Sequence, residues 1–206
     1  VDNTPSSPNL TVIIRVMTAR THDLAAVTAF GLVATYQSVR PLSVATLILA
    51  LLFNQIGGIF PDIDQPTAPF WRNLPIGRLF GKAFDRLLGG HRFITHSLIG
   101  VALTGWLFHW LLHMVNLLIP KMDAHIVWWA FMIGVVSHLF MDLFTKEGIP
   151  LLLPIPVKFG IPPLKALRIT TGKLAEKALF LAILTFDFWF FSLHYQHLVA
   201  IFHRLV

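Results

Sequence analysis

The sequence predicts an all-α, polytopic helical membrane protein with about five membrane segments and two long loops on the cytoplasmic side. Three observations carry that expectation. Hydrophobic residues make up 55% of the 206-residue chain and charged residues only 13%, whereas soluble domains carry roughly a quarter charged residues. The apolar residues fall into five runs. The lysines and arginines gather in two of the connections between runs, the distribution expected of loops retained on the cytoplasmic face.

Residues 1–16, VDNTPSSPNLTVIIRV, begin polar and Pro/Ser-rich and lack a cleavable-signal pattern. They are expected to form an N-terminal extension, with Met17 a candidate natural start and residues 17–206 a single helical membrane domain. The first two runs, Leu24–Val39 and Leu42–Phe60, are separated by a polar turn of Gln37, Ser38, Arg40 and Pro41. Ser97–Ile119 and His125–Phe144 flank the tight connection Pro120-Lys121-Met122-Asp123, and Ala178–Phe202, rich in Phe and Trp, comes last. A helix needs roughly 20 apolar residues to cross the hydrocarbon core, so Leu24–Val39 is short unless it borrows flanking residues.

The two long connections, Gln65–His96 and Thr145–Lys177, hold prolines and glycines. One carries Arg72, Arg78, Lys82, Arg86 and Arg92, the other Lys146, Lys158, Lys165, Arg168, Lys173 and Lys177. If every run crosses, both connections share one side with Arg15 and Arg20, which orients the N-terminus inward and the C-terminus outward. The formal net charge of +6 is therefore assigned to anionic headgroups. Nucleic acid is not an expected partner, because no basic stripe interleaves with exposed aromatics. The absence of cysteine excludes disulfides, thiolate zinc sites and cysteine nucleophiles, leaving His, Asp and Glu as metal ligands.

Polar residues mark the cytoplasmic ends of the runs. His22 precedes the first, Asp62 and Asp64 (FPDIDQP) follow the second, His91 and His96 (HRFITHS) precede the third, and His138 and Asp142 (SHLFMD) close the fourth. His138 and Asp142 are i,i+4, so a helix projects both from one face. Asp62 and Asp64, after Pro61, fit a turn that brackets a cation. A helix start within HRFITHS lets His91 come from a loop and His96 from the first turn, with Thr95 as N-cap or Ser97 as a hydroxyl within reach of the site. Mixed imidazole and carboxylate donors suit Zn²⁺, Mn²⁺ or Fe²⁺ better than Ca²⁺. Seven groups exceed the needs of one tetrahedral ion, so one or two divalent ions, Zn or Mn first, are expected. His109 and His113 lie far along the third run, and Asp187 (LTFDFWFF) is a lone acid within the last; none is assigned chemistry.

Taken in order, these motifs resemble those of the YdjM-like, LexA-binding, inner-membrane-associated metal-dependent hydrolases of bacteria. The family pattern is Thr/Gly-His, Pro-Asp-x-Asp-x-Pro, His-Arg-Gly-x-Thr-His-Ser and Ser-His-x-x-x-Asp, then a Thr and Leu-Leu-x-Pro. Here Thr21-His22, Pro61 to Pro66, His91 to Ser97, Ser137 to Asp142, Thr145 and Leu151 to Pro154 match. Phe93 departs from it, standing where Gly is usual. The likeness covers about Met17 to Pro163 and implies a hydrolase, a function itself inferred from these residues.

The expected activity is therefore metal-dependent hydrolysis of a membrane lipid or lipid-like substrate, with a phosphoester bond favoured over an acyl ester or amide. His22, Asp62, Asp64, His91, His96, His138 and Asp142 are the expected ligands, with Asp62, Asp64, His96 or Glu147 available for acid/base work. Arg92, Thr95, Ser97 and Thr145 are expected near the substrate, Arg92 either gripping a phosphate or lying exposed against headgroups. The rival reading is a divalent-ion transporter or channel, for which the polar path would continue through His109, His113 and Asp187. A third is a scaffold with a saturated structural metal.

Overall fold

In the computed structural model the described residues are 10–36, 42–68, 71, 74–89, 92–116, 118, 119, 122–155 and 157–205. Among them the architecture is helical, without strands. The elements are α1 (Leu10–Tyr36), α2 (Val44–Ile59), a 3₁₀ turn (Phe60–Asp64), α3 (Gly77–Leu87), α4 (Leu98–Asn116), α5 (Ala124–Leu143), a short 3₁₀ turn (Lys165–Leu167), α6 (Leu174–Leu193) and α7 (Tyr195–His203).

Three helical stretches are long and apolar enough to cross a membrane, namely Val44–Asp64, Leu98–Val115 and Ala124–Leu143. The pair α6 and α7, bent by 69°, makes a fourth if counted as one span. The expected first run, Leu24–Val39, forms the second half of α1 as far as Tyr36; α1, at 27 residues, is long enough but less apolar than these stretches. The expected single run Ala178–Phe202 is broken at His194. There the Phe190 carbonyl accepts from both the His194 amide and Nδ1, and the two rings stack at 4.2 Å.

Helix α5 is the centre of the bundle because small residues let its neighbours touch its backbone. A Cβ on Gly134 would lie 2.2 Å from the Asn54 carbonyl oxygen, and one on Gly57 2.1 Å from that of Phe131. Asn54 Nδ2 uses the closeness to donate to the Ala130 carbonyl at 3.0 Å. Where lipid is the solvent, close packing and interhelical hydrogen bonds of this kind hold helices together. Gly58, one step on, packs on Ala26 of α1. Phe108 and Leu112 of α4 complete a core with Val127, Phe131, Met132, Val135 and Leu139, the Phe108 and Phe131 rings 4.0 Å apart. The opposite face of α4 presents Leu103, Trp106, Leu107 and Trp110 outward, as a lipid-facing surface would.

Side chains cap the starts of α2 and α5. Ser43 Oγ accepts from the Thr46 amide and Asp123 Oδ1 from those of His125 and Ile126. The chain ends define the long axis of the bundle. Helix α6 starts beside Thr21, whose hydroxyl donates to Glu176, whereas α7 ends beside Leu42, whose amide donates to the Arg204 carbonyl. The last two helices thus run from the end of the bundle holding Thr21 to the end where α2 begins. At the first end, α3 is fastened by Trp71, which packs at a tilt against Phe84 and donates through Nε1 to the Ile63 carbonyl at 2.8 Å. The connection after α5 folds back there too, pairing Ile149 with Phe159 and Thr145 with Ile169.

Candidate metal centre

Four separated stretches meet at that end of the bundle. Helix α1 brings His22, the 3₁₀ turn Asp62 and Asp64, the loop before α4 brings Arg92, Thr95 and His96, and the last turns of α5 bring His138 and Asp142. His96, His138, Asp64 and Asp142 are almost completely buried and His22 nearly so, while a third of the Asp62 side chain stays exposed.

Hydrogen bonds to the rear of two imidazoles set their tautomers. His138 Nδ1 lies 2.6 Å from the Gly58 carbonyl, which can only accept, so Nδ1 carries the proton and Nε2 the lone pair. The close α2–α5 packing at Gly57 and Gly134 is what brings that carbonyl within reach. For His96, the Thr95 hydroxyl gives its one proton to Asp64 Oδ2. It then accepts from His96 Nδ1 at 2.9 Å, which again leaves the lone pair on Nε2. Burial pushes the His96 imidazole below its ordinary pKa, so the ring is neutral near pH 7.

The forward atoms converge. His138 Nε2 lies 3.5 Å from Asp62 Oδ1 and 3.7 Å from Asp142 Oδ2, and His96 Nε2 lies 3.2 Å from Asp142 Oδ2 and 3.8 Å from Asp62 Oδ1. His22 Nε2 is 3.6 Å from Asp142 Oδ1, its ring stacked on His138 at 4.1 Å. Two groups, His22–His138–Asp142 and Asp62–His96–His138, each place their ligand atoms within 4.8 Å of one another. His138 Nε2 and Asp142 Oδ2 are buried without a hydrogen-bond partner, an arrangement that costs about 1–3 kcal/mol per group. A divalent cation among these donors would offset that cost, so the residues present fit such an ion.

Several expected site residues stand elsewhere than the sequence reading put them. Asp64 lies behind His96 rather than before it, 3.8 Å from Nδ1, and accepts from the Arg92 amide and the Thr95 hydroxyl. Among the described residues it thus supports the ring through Thr95 and lies outside the two groups of forward donors. Thr95 and Ser97 exchange parts: Thr95 belongs to the site, whereas Ser97 Oγ accepts from the Gly100 amide and donates to the Ile94 carbonyl, capping α4. Arg92 is not exposed to headgroups. Its side chain, 10% accessible, donates through Nη2 to Asp142 Oδ1 at 2.8 Å and through Nη1 to Thr145 Oγ1 at 3.0 Å. Thr145 in turn donates to the Asp142 carbonyl. Glu147, mostly exposed, lies 3.6 Å from Arg92 Nη1 and does not reach the donors. His91 lies outside the described residues.

Phe93 has a local explanation. The left-handed residue of the loop is Arg92, with φ 59°, so position 93 has no need of glycine. The Phe93 ring instead covers Gly89, where a Cβ would come within 2.4 Å of it. His109 and His113 are exposed on α4, away from the cluster. Asp187 is buried and accepts from Thr28 Oγ1 across the α1–α6 contact. Glu176 was not singled out from sequence: it is buried beside His22, accepting from Thr21 and from the Gly172 amide. The one signal for it is an acid in the first turn of an apolar helix between Lys173 and Lys177.

Comparisons with known proteins agree with the family resemblance. The chain is 28% identical over 162 residues to Uncharacterized protein YvsG of Bacillus subtilis (strain 168), covering 78% of this chain and 86% of that one. It is 29% identical over 139 residues to Inner membrane protein YdjM of Escherichia coli (strain K12), and equally to that of Shigella flexneri. Those matches cover 64% of this chain, which thus spans 61% of the length of each YdjM protein. No solved structure matches. With these relatives and its apolar helices, the protein is a bacterial inner-membrane protein. Residues 17–200 match the family described as YdjM inner membrane protein, and the chain belongs to that family.

Proposed function

We propose that the protein is a membrane-bound, metal-dependent hydrolase acting on a lipid or amphiphilic substrate, with a phosphoester bond ahead of an acyl ester or amide. The observation that carries this reading is the buried meeting of His138 Nε2 and Asp142 Oδ2, both without hydrogen-bond partners, beside the partly exposed Asp62. His22, Asp62, His96, His138 and Asp142 would hold the ion, a donor set suited to Zn²⁺ or Mn²⁺.

One ion is favoured over two. Both donor groups need His138, whose Nδ1 is committed to Gly58, and a single Nε2 lone pair serves one ion. When bound, such an ion lowers the pKa of a coordinated water towards neutrality and polarises the scissile group. The chain's own part is positional. Asp64 and Thr95 hold the His96 ring, Gly58 holds that of His138, and Arg92 anchors Asp142 Oδ1 so that Oδ2 faces the other donors. Asp62, the one partly exposed ligand, is the group beside which substrate and water enter and is best able to accept a proton there. The basic connections support a cytoplasmic location for this end of the bundle, with the N-terminus inside and several membrane crossings.

The test is metal content together with turnover. Purified protein is expected to hold about one equivalent of zinc or manganese, lost in His138→Ala and Asp142→Asn. Asp62→Asn is expected to abolish cleavage of a lipid phosphoester in mixed micelles. Well-folded protein without metal overturns the reading. Metal without turnover, accompanied by ion uptake into liposomes, replaces it with transport, which the exposed positions of His109 and His113 do not favour.

A further inference from the structure

We propose that a cleft between α1 and the start of α6 binds the phosphate group of an amphiphilic substrate on the His22 flank of the metal centre. The cleft is lined by Arg20, Lys173, Lys177 and Phe180, with the buried Glu176 and Thr21 behind them. A second, smaller pocket shares Thr21 and Glu176 and is lined by His22 and Thr145 as well. The basic mouth and the His22 flank of the metal centre are thus separated by the hydrogen-bonded pair Thr21 and Glu176, which lines both.

Charge and chemistry select the occupant. Three cations surround one carboxylate, and Glu176 is already engaged by Thr21 and the Gly172 amide. Arg20, Lys173 and Lys177 make no ion pair or side-chain hydrogen bond with other described residues. Their charge is available to an anion, and converging Arg and Lys donors favour phosphate oxygens. The apolar side is as informative. Phe180 lines the cleft, and Leu174 and Leu181 of the same helix are exposed on a chain built for lipid. A phosphate attached to an acyl or isoprenoid tail satisfies both sides, whereas free phosphate satisfies one.

The inference rests on the hydrolase reading for its meaning but is tested without metal. Full-length protein in a neutral detergent, treated with chelator, is titrated with dihexanoyl phosphatidic acid, inorganic phosphate and uncharged dihexanoylglycerol. Wild type is expected to bind phosphatidic acid more tightly than either other probe. The Lys173→Gln/Lys177→Gln double variant should weaken that binding about tenfold or more, while Lys158→Gln, exposed earlier in the same connection and outside the cleft lining, leaves it unchanged. Binding of equal strength in wild type and double variant, or no binding by wild type, overturns the site. Inorganic phosphate binding as tightly as phosphatidic acid overturns the lipid source. Because no metal takes part, a negative result here leaves the metal centre standing, and metal-free native protein leaves this cleft standing.

Discussion

Arg92 ties the site together at the level of single residues. Its amide donates to Asp64 and its guanidinium spans Asp142 Oδ1 and Thr145 Oγ1, so one residue touches the supports of both His96 and Asp142. A planar fork is needed for that span, and lysine supplies one point charge. Arg92→Lys is therefore expected to keep the fold but weaken metal binding by about 10–100-fold, the usual cost of losing an outer support. Competition with a chromogenic chelator measures it, and wild-type affinity in Arg92→Lys would refute the anchoring role. Phe93→Gly makes the opposite expectation. Because the left-handed backbone sits at Arg92, this change should leave metal content intact and lower stability by about 1 kcal/mol through the lost cover over Gly89. At this scale the sequence was legible where spacing dictates geometry, as for His138 and Asp142 one helical turn apart. It was not legible in the loops. Whether Asp62 or Asp64 faces forward, and whether Thr95 or Ser97 caps α4, depends on backbone turns that residue spacing does not encode.

Among the elements, the contact of α2 with α5 does two jobs with the same atoms. Gly57 and Gly134 let the helices approach until backbone meets backbone, and the approach sets the Gly58 carbonyl against His138 Nδ1. A methyl group at Gly134 has only the Asn54 carbonyl and the Gly58 amide to displace. Gly134→Ala is thus expected to destabilise by about 1–3 kcal/mol and to reduce bound metal in parallel, since separating the helices withdraws the acceptor that fixes the His138 tautomer. Gly105→Ala is the control: its Cβ would meet the end of the Met132 side chain at 3.1 Å, which can move aside. Thermal unfolding and metal analysis of both variants decide the matter. Gly134→Ala matching Gly105→Ala in both would show that the α2–α5 approach is not what positions the histidine. The hydrophobic runs announced these helices but not their contact, because a glycine in an apolar run reads the same whether it faces lipid or another backbone.

For the whole molecule, the long axis gives the membrane orientation its physical content. The cluster lies at the end where α2 finishes, α4 begins and α5 finishes, and the basic connections return to that same end. The other end holds the start of α2, hydrogen-bonded to Arg204, and the start of α5, where the Asp123 amide donates to Thr46 Oγ1 at 2.9 Å. The bend at His194 therefore does not turn the chain back: from Glu176 beside Thr21 to Arg204 beside Leu42, α6 and α7 traverse the height of the bundle. Hydropathy anticipated an apolar last segment but not its break at His194, where the imidazole turns back to the Phe190 carbonyl, a bond that hydropathy does not register. The chain has no cysteine, so single introduced thiols report their side of the membrane without background. Lys165→Cys, on the basic connection, is expected to react with a membrane-impermeant maleimide only when the cytoplasmic face is opened, as in inverted vesicles. Leu118→Cys, exposed between α4 and α5, and His203→Cys, at the end of α7, should react in intact spheroplasts. Labelling of Lys165→Cys and His203→Cys from one side would mean that α6 and α7 do not cross together. The metal centre would then have to be oriented by α2, α4 and α5 alone.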